Sequence, residues 1–356
     1  MPLPPFRFRP ILKSRAWGGR RLARFGKSVP PAPAPPVGES WEIADLAPPV
    51  DDGVSRVAGG PFDGASLRDL LGSHRKAILG AARDVSGHFP LLVKFLDAAE
   101  HLSVQVHPTA GYAAHHPGAH LKTEAWVVLE AEPGARIFRG VRADVTADRF
   151  RTAIADGTAV DLLVAEEVRA GDCIPLVSGL CHALGAGVVV AEVQTPSDTT
   201  FRVYDWNRDD PARPLHVAQA LECILFGEAQ GLDRAPVTSV ERLGAMWSDG
   251  LRSAMLCANE HFEIEGIESS PSGDAAPIDF VAAERPEVLM LLSGEAVLEA
   301  AGHRAEHLRA GDTVMLPADR VPTTVDLSPQ ALLLRATTAD PMGSQHDGPR
   351  AGERRS

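Results

Sequence analysis

The stretch His101-Leu102-Ser103-Val104-Gln105-Val106-His107-Pro108 alternates polar and apolar residues. This is the period of a β-strand, because successive side chains of a strand point to opposite faces. The polar face would consist of His101, Ser103, Gln105 and His107. A half-exposed strand with that face in water is one interpretation. A metal site is the other, since Gln105 and His107, two residues apart, project side by side and can reach one ion.

Short apolar runs bounded by glycine and proline occur on both sides of this stretch. They include residues 91–93, 126–129 and 188–191, and a second set lies within about 236–336. Many short strands separated by turns predict an antiparallel sandwich or barrel, with the jelly roll as the natural candidate, and not alternating βαβ units. One helix is expected near 66–82, where a capping-box-like pattern precedes apolar residues at helical spacing.

The length of 356 residues predicts about two domains. We expect a first β domain over 1–230, which would contain the metal site, an N-terminal extension and short helices. A smaller β domain is expected over 231–338. Residues 339–356 are rich in glycine, proline, arginine and polar residues, which predicts a disordered tail. A Gly-Asp pair precedes an apolar run in each half, which suggests a duplicated architecture.

The net charge of −12 argues against non-specific binding of nucleic acid or of anionic membranes. An anionic small molecule remains compatible with this charge, provided that lysine and arginine are concentrated in a local pocket. The N-terminus has no apolar signal-peptide core, and no apolar run reaches 18 residues. Four cysteines form no C-x-x-C pair, and reduced core thiols in a cytoplasmic protein fit best.

Two further segments supply residue types that complement Gln105 and His107. In Lys122-Thr123-Glu124-Ala125-Trp126 a carboxylate shares a strand face with a lysine, and Gly179-Leu180-Cys181-His182-Ala183 presents a histidine after a turn. Each segment alone has an ordinary interpretation, a surface ion pair or a structural histidine. Together the segments offer two imidazoles, one carboxylate and one amide oxygen, a donor set suited to zinc or another divalent first-row cation: Gln105, His107, Glu124 and His182.

Six ordered motifs give the sequence a strong resemblance to type I mannose-6-phosphate isomerases of the short bacterial form. The resemblance covers residues 6–230 firmly and the remainder weakly. The motifs are Ala16-Trp17-Gly18-Gly19, Gly38-Glu39-Ser40-Trp41-Glu42-Ile43, Phe89-Pro90-Leu91-Leu92-Val93-Lys94, Leu102-Ser103-Val104-Gln105-Val106-His107-Pro108, Lys122-Thr123-Glu124 and Ser197-Asp198-Thr199-Thr200-Phe201-Arg202-Val203-Tyr204-Asp205-Trp206.

The resemblance implies a mainly β, double-cupin fold, two jelly-roll barrels with a few short helices. It also implies one zinc ion per chain in the first barrel, held by Gln105, His107, Glu124 and His182. The second barrel lacks a histidine pair on the matching strand and is expected to be metal-free. Short helices such as 146–156 and 159–166 would fill the chain between Glu124 and His182.

The implied activity is the interconversion of mannose 6-phosphate and fructose 6-phosphate, in which a proton moves between C2 and C1 through an enediol. By resemblance the catalytic residues are Arg202, Lys122, Asp198 and Lys94. Substrate binding is assigned to Trp17, Ser103, Lys122 and Arg202. The acid and base stay open among Lys122, Asp198 and a metal-bound water, and Arg202 and Lys122 are the candidate phosphate anchors.

Two other classes of protein compete with this hypothesis. A non-catalytic cupin that binds or senses a sugar phosphate would keep the metal and the pocket without turnover, because a fold alone does not guarantee activity. An iron-dependent cupin oxygenase would carry two histidines and one carboxylate without the additional amide of Gln105. Metal analysis and an isomerase assay would distinguish the three classes. The sequence does not indicate an oligomeric state.

Overall fold

Antiparallel β-sheet dominates the structure, a computed structural model that describes residues 1–46, 50, 52–208, 213–227 and 236–339. Within these residues the strands form four sheets, and neighbouring strands are antiparallel throughout. Antiparallel sheets can cover one face with a core and leave the other free for further packing. The predicted mainly β fold with few helices is confirmed.

The first half of the chain contributes the first two sheets. The six-stranded first sheet has the order β1-β2-β3-β10-β5-β8, and the five-stranded second sheet has the order β11-β4-β9-β6-β7. Their bounds are Ile11–Gly19 (β1), Val37–Ile43 (β2), Leu92–Ala98 (β3), Val104–Val106 (β4), Glu124–Ala131 (β5), Arg136–Val141 (β6), Leu163–Glu167 (β7), Cys173–Leu176 (β8), His182–Leu184 (β9), Val188–Gln194 (β10) and Phe201–Tyr204 (β11).

The second half contributes the third and fourth sheets. The third sheet has the order β12-β13-β20-β15-β18, and the fourth has the order β14-β19-β16-β17. Their bounds are Leu251–Ala258 (β12), Phe262–Ser269 (β13), Ile278–Phe280 (β14), Glu287–Ser293 (β15), Glu295–Ala300 (β16), Glu306–Arg309 (β17), Thr313–Leu316 (β18), Thr323–Leu327 (β19) and Leu332–Thr338 (β20).

Helices are short and lie between the strands. The predicted helix near 66–82 is confirmed as Leu67–Leu79 (α1), and its Ser66 and Asp69 form the capping box. The other α-helices are Ala110–His115 (α2), Ala147–Ala155 (α3) and Val217–Cys223 (α4), and the 3-10 helices are Arg21–Phe25, Gly60–Phe62 and Ala159–Leu162. The helix predicted at 159–166 is wrong in its second half, where β7 begins at Leu163 and pairs with β6.

The two halves repeat one topology. Five strands of the first sheet, β2-β3-β10-β5-β8, follow the same order as the five strands of the third sheet, and β4-β9-β6-β7 follow the same order as the fourth sheet. The two Gly-Asp pairs stand at equivalent places, just before β8 and β18. This correspondence supports the duplication suggested by the sequence.

The apolar core is continuous across both halves. One cluster joins the outer face of the first sheet, through residues such as Val93 and Phe95, to the third sheet, through Met290 and Leu334. The first and second sheets enclose a separate core, and so do the third and fourth. The first and third sheets are therefore packed back to back at the centre of the molecule, because each strand alternates its side chains between two faces.

Specific polar contacts also cross between the halves. Phe6 bridges to Met315 of β18, and Lys27 Nζ lies 2.8 Å from Glu42 Oε2 and 2.7 Å from the carbonyl oxygen of Gly311. Gly311 has a φ of 95°, and a Cβ there would meet the carbonyl oxygen of Phe25 at 2.3 Å, so both conformation and space require glycine.

The proposed division into domains remains a prediction. Its boundary at 230/231 lies outside the described residues, as does the predicted tail except for Ala339. The shared core shows that the N-terminal segment packs on strands of the second half. No helix in the described ranges is both long enough and apolar enough to cross a membrane.

Candidate metal centre and active site

Three strands of the first two sheets bring the four predicted metal ligands together. Gln105 is the central residue of β4 and lies opposite His182, the first residue of β9. His107 follows β4 directly, and Glu124 is the first residue of β5. Three of the four candidate ligands therefore stand at or next to strand ends, and Gln105 lies one residue from the end of its short strand, so that side chains from different strands converge on one point.

The donor atoms lie within contact distance of one another. His107 Nε2 is 3.4 Å from Glu124 Oε2, and His182 Nε2 is 3.1 Å from Glu124 Oε1. One ligand atom from each of these three residues falls within 4.8 Å of the other two. Gln105 Nε2 is 3.2 Å from His182 Nε2, so a rotation of the amide by 180° would present its oxygen at the same place.

Backbone carbonyl groups orient both imidazoles. His107 Nδ1 lies 3.1 Å from the carbonyl oxygen of Thr199, and His182 Nδ1 lies 2.8 Å from that of Leu180. A proton on each Nδ1 donates to these carbonyl groups, which leaves a lone pair on each Nε2. Metal-binding histidines are commonly held in this way, with the outer nitrogen fixed by a hydrogen bond.

Whether these residues fit a divalent cation can be judged from the buried acceptor atoms that lack hydrogen bonds. Within the described ranges, His107 Nε2 and Glu124 Oε1 are buried without a hydrogen bond, and Glu124 Oε2 has the ammonium group of Lys122 at 2.8 Å as its partner. Such atoms are costly to bury unless a partner satisfies them. Two imidazole nitrogens, a carboxylate and an amide oxygen suit zinc or a similar divalent ion. The residues present therefore fit the predicted metal.

Burial and charge perturb the pKa values of this cluster. Burial, reinforced by the nearby Lys122, lowers the pKa of His107 to about 3. Burial alone would raise the pKa of Glu124, but Lys122 and His107 outweigh it and hold the pKa well below its usual range. The pKa of Lys122 is raised despite burial, because Glu124 and Glu192 stabilise its charge. The histidine is thus neutral and the carboxylate ionised at neutral pH, as metal ligation requires.

The lowered pKa of His107 predicts acid sensitivity of the metal-free protein. The unfolded chain binds a proton at this histidine below pH 6.5, whereas the folded protein binds it only near pH 3. This contribution to stability is therefore complete above pH 6.5 and is lost as the pH falls towards 3, by about 1.4 kcal/mol per pH unit.

Urea unfolding in the presence of EDTA, at neutral pH and near pH 5, measures this loss. The His107→Gln variant should lose about 2 kcal/mol less than the wild type between the two conditions, since glutamine does not titrate. Equal losses in both proteins would contradict the assignment of a neutral buried histidine.

A cavity of about 410 Å³ opens beside the donor set, and Gln105 belongs to both. All of the residues predicted from the sequence for catalysis or substrate binding line it: Trp17, Lys94, Ser103, Lys122, Asp198 and Arg202. Asp198 is exposed, whereas the other five are buried. The structure thus brings the predicted site residues to one cavity, and their individual roles remain predictions.

Two acidic residues of this cavity were missed by the sequence analysis. Glu192 lies between Lys94 and Trp126 across the first sheet, where its carboxylate accepts hydrogen bonds from Lys94 Nζ at 2.9 Å and from Trp126 Nε1 at 2.8 Å. Glu39 accepts from Arg15 Nε at 2.6 Å. Burial opposes ionisation of Glu39, but Lys94 and Arg15 prevail and lower its pKa to about 2. Recognising these residues required the register between strands, which a single sequence does not contain.

Arg202 lies beside the donor set because its strand, β11, pairs with β4, with Arg202 opposite Gln105. Its guanidinium donates to the carboxylate of Asp205 and to the carbonyl oxygen of Arg213. Its Nε is buried and has no hydrogen-bond partner within the described part of the chain. The guanidinium of Arg202 is therefore held by Asp205 and by the carbonyl oxygen of Arg213, and its Nε–H group remains available as a donor.

Of the two interpretations of the stretch 101–107, the half-exposed strand is wrong. The strand is limited to Val104–Val106, and both Ser103 and His107 are buried. His101 does not join the donor set. Its ring stacks on Trp206 at 4.2 Å between centroids. The sequence left both interpretations open because alternation alone does not show whether a polar face meets water or another sheet.

Relatives of the chain include bacterial mannose-6-phosphate isomerases. It is 40% identical over 221 residues to a mannose-6-phosphate isomerase of Streptococcus mutans, a match that spans 61% of this chain and 66% of that protein. It is 38% identical over 224 residues to mannose-6-phosphate isomerase ManA of Bacillus subtilis, over 62% of this chain and 68% of that protein. The crystal structure of a Bacillus subtilis mannose 6-phosphate isomerase superposes with a TM-score of 0.79 and 28% identity, covering 94% of this chain and 99% of that chain.

Paired jelly-roll sheets with a buried histidine and carboxylate cluster beside a polar cavity define a metal-binding protein of the cupin class. Residues 6–125 match the family described as phosphomannose isomerase type I, catalytic domain. Together with the relatives above, this match shows that the chain belongs to the type I mannose-6-phosphate isomerase family. The double-cupin prediction is confirmed by the likeness of the whole described fold to the Bacillus subtilis enzyme.

The second half carries a different arrangement at the position of the metal ligands. Glu287 begins β15 opposite Leu316, as Glu124 begins β5 opposite Leu176. The carboxylate of Glu287 pairs with the buried guanidinium of Arg320 instead of with imidazoles. Glu287 is thus paired with a guanidinium where Glu124 lies beside two imidazoles, and the metal-free second barrel remains a prediction.

Proposed function

We propose that this chain is a zinc-dependent aldose–ketose isomerase that interconverts mannose 6-phosphate and fructose 6-phosphate. The observation that carries the proposal is the convergence of Gln105, His107, Glu124 and His182 beside a cavity lined by lysine and arginine. This arrangement combines a site for a Lewis-acidic cation with a site for an anionic sugar. Membership of the family supports the choice of reaction.

Zinc is the metal that the donor set favours, with one ion per chain. Gln105, His107, Glu124 and His182 would hold it. When bound, zinc supplies an electrophile for the developing negative charge on the sugar oxygens. The neutral amide of Gln105 in place of a second carboxylate leaves the site more positive. The same amide distinguishes it from the two-histidine, one-carboxylate set of iron oxygenases.

Proton transfer falls to the residues that line the cavity. Converting the aldose to the ketose removes the proton at C2 and delivers one to C1, so a base and an acid are needed. Lys122 remains protonated because its pKa is raised by its carboxylate neighbours, which suits it to donating a hydrogen bond to a sugar oxygen while it keeps its proton. Asp198, an exposed carboxylate on the cavity wall, is assigned as the group that accepts the carbon-bound proton.

The remaining cavity residues bind and orient the hexose phosphate. Arg202 is the principal phosphate anchor, because a guanidinium offers several donors to phosphate oxygens. Lys94 is held by Glu192 and Gln194, at 2.9 and 2.7 Å, and presents a fixed cation to the sugar hydroxyls. Trp17 and Ser103 complete the wall with an apolar surface and a hydroxyl group.

A coupled assay that detects fructose 6-phosphate formed from mannose 6-phosphate tests the proposal. The zinc-loaded protein should show turnover, a chelator should abolish it and added zinc should restore it. Tight binding of mannose 6-phosphate without turnover would instead identify a sugar-phosphate sensor. Iron in place of zinc in protein purified without added metal would favour an oxygenase.

We also propose that the protein acts in the cytoplasm on a small-molecule substrate. All four cysteines, Cys173, Cys181, Cys223 and Cys257, are buried and free. Burial raises the pKa of the Cys181 thiol, as expected for an inert core residue and not for a reactive one. Free thiols are typical of reducing compartments.

A further inference from the structure

Asp205 is shared between two arginines at the edge of the cavity. It follows β11 directly and is buried. One carboxylate oxygen accepts from the guanidinium of Arg202, and the other accepts from Arg208 Nη2 at 2.6 Å. Arg202 lines the cavity, whereas Arg208 does not. The carboxylate of Asp205 therefore connects Arg202, which lines the cavity, to Arg208, which does not.

A strained turn holds Arg208 over Asp205. The backbone N–H of Arg208 donates to the carbonyl oxygen of Asp205 at 2.9 Å, and both residues between them have a positive φ, 53° for Trp206 and 58° for Asn207. A positive φ is unfavourable for a bulky residue such as tryptophan. The indole Nε1 of Trp206 donates to the carbonyl oxygen of Leu102 at 2.6 Å, which helps to hold this conformation. Strain of this kind is often found at functional sites.

The charges of the cavity show what the second arginine contributes. Several cations that line the cavity are each neutralised by one carboxylate: Arg15 by Glu39 at 2.6 Å, Lys94 by Glu192 at 2.9 Å and Lys122 by Glu124 at 2.8 Å. A simple pair of Arg202 and Asp205 would be neutral as well. With Arg208 added, the group carries a net charge of +1. Glu100, 3.3 Å from Arg208, has a 65% exposed side chain, so water screens its charge.

We propose that Asp205 is a positioning residue that fixes the guanidinium of Arg202, and that Arg208 preserves the positive charge which attracts a phosphate monoester. We call Arg202, Asp205 and Arg208 the arginine triad. This inference rests on the proposed function, since it assigns the phosphate group of the substrate to this side of the cavity. Asp205 and Arg208 act through Arg202 and do not themselves touch the sugar.

Two variants separate positioning from charge. Asp205→Asn keeps the shape but removes the charged acceptor, and KM for mannose 6-phosphate should rise roughly tenfold because Arg202 loses its fixed orientation, even though the net charge of the group rises from +1 to +2. In Arg208→Gln, Arg202 still pairs with Asp205, but the pair has no net charge. KM should then rise about three- to tenfold, more strongly at low ionic strength, with kcat changed by less than about twofold. Arg208→Lys, which restores the charge, should recover most of this loss.

Asp172 provides a matched control. It is also buried beside two arginines, with Arg242 at 2.9 Å and Arg169 at 3.9 Å, but it does not line the cavity. Asp172→Asn should lower the melting temperature and leave KM unchanged. A merely structural role of Asp205 would produce this same pattern.

Calorimetric titration of inorganic phosphate into the zinc-loaded protein gives a readout that does not depend on turnover. The Kd for phosphate should rise in Asp205→Asn and in Arg208→Gln by about the same factor as KM. An unchanged Kd and KM in both variants, with only a lower melting temperature, would overturn the inference. Absence of isomerase activity in the wild type would refute the proposed function instead, and the phosphate titration would still decide on the arginine triad.

Discussion

Replacing His107 with alanine is expected to remove most of the bound zinc and nearly all isomerase activity, while the β-sheets remain folded. The imidazole is fully buried, and its unpartnered Nε2 lies 3.4 Å from the carboxylate of Glu124. Loss of one donor weakens a four-ligand site severely. Because a Lewis acid contributes several kcal/mol to catalysis, kcat/KM should fall by about 10³-fold or more.

Zinc per chain, measured by mass spectrometry of the purified protein, and the coupled assay check this expectation together. His101→Ala is the matched control, since His101 stands on the same predicted strand face but stacks on Trp206 outside the donor set. That variant should keep its zinc. Full zinc occupancy and undiminished activity in His107→Ala would refute the ligand assignment.

Replacing Arg202 with alanine should leave the zinc in place and lower kcat/KM by about 10²-fold or more. The estimate follows from the loss of one charged contact, which costs roughly 3 kcal/mol in a desolvated site. The metal should persist because the backbone of Arg202, and not its side chain, pairs with Gln105 on β4.

Kinetics at several substrate concentrations and metal analysis of the same preparation test the role of Arg202. Arg136→Ala serves as control, because Arg136 forms an exposed ion pair with Glu167 at 3.0 Å away from the cavity. Its kinetic constants should match those of the wild type. A normal rate in Arg202→Ala would make that arginine a bystander.

The candidate metal ligands could be nominated from the sequence because their chemistry is local in sequence. Gln105 and His107 are two residues apart on one strand, and each of the other two segments presents a single carboxylate or imidazole next to turn residues. A strand fixes the direction of its side chains, so ligand type and spacing together were enough to nominate the set. The structure brings all four to one point.

The remaining parts of the site depend on tertiary structure. Glu39 and Glu192 face the cavity only because of the order and register of β2, β3 and β10 in the first sheet. Asp205 reaches both arginines through a turn in which a tryptophan adopts a positive φ, which no propensity rule favours. The alternation over 101–107 placed Gln105 and His107 correctly beside each other, but it misplaced His101 and did not show that the polar face is largely buried.

The packing of the two halves against each other also could not be predicted from the sequence. Composition and length indicated two β domains, yet Phe6 and Lys27 from the N-terminal region contact strands and loops of the second half. Contacts between residues some 300 positions apart leave no periodic signal in a single chain. The duplicated order of strands was hinted at only by the two Gly-Asp pairs.

The most direct test of the central claim is an anomalous diffraction map, recorded at the zinc absorption edge from crystals of the protein purified without chelator. We predict one strong peak per chain, about 2.0–2.2 Å from the Nε2 atoms of His107 and His182 and from an oxygen of Glu124, with the Gln105 amide oxygen completing the set. A map with no peak among these residues after soaking in zinc, or with a peak elsewhere in the chain, would contradict the account.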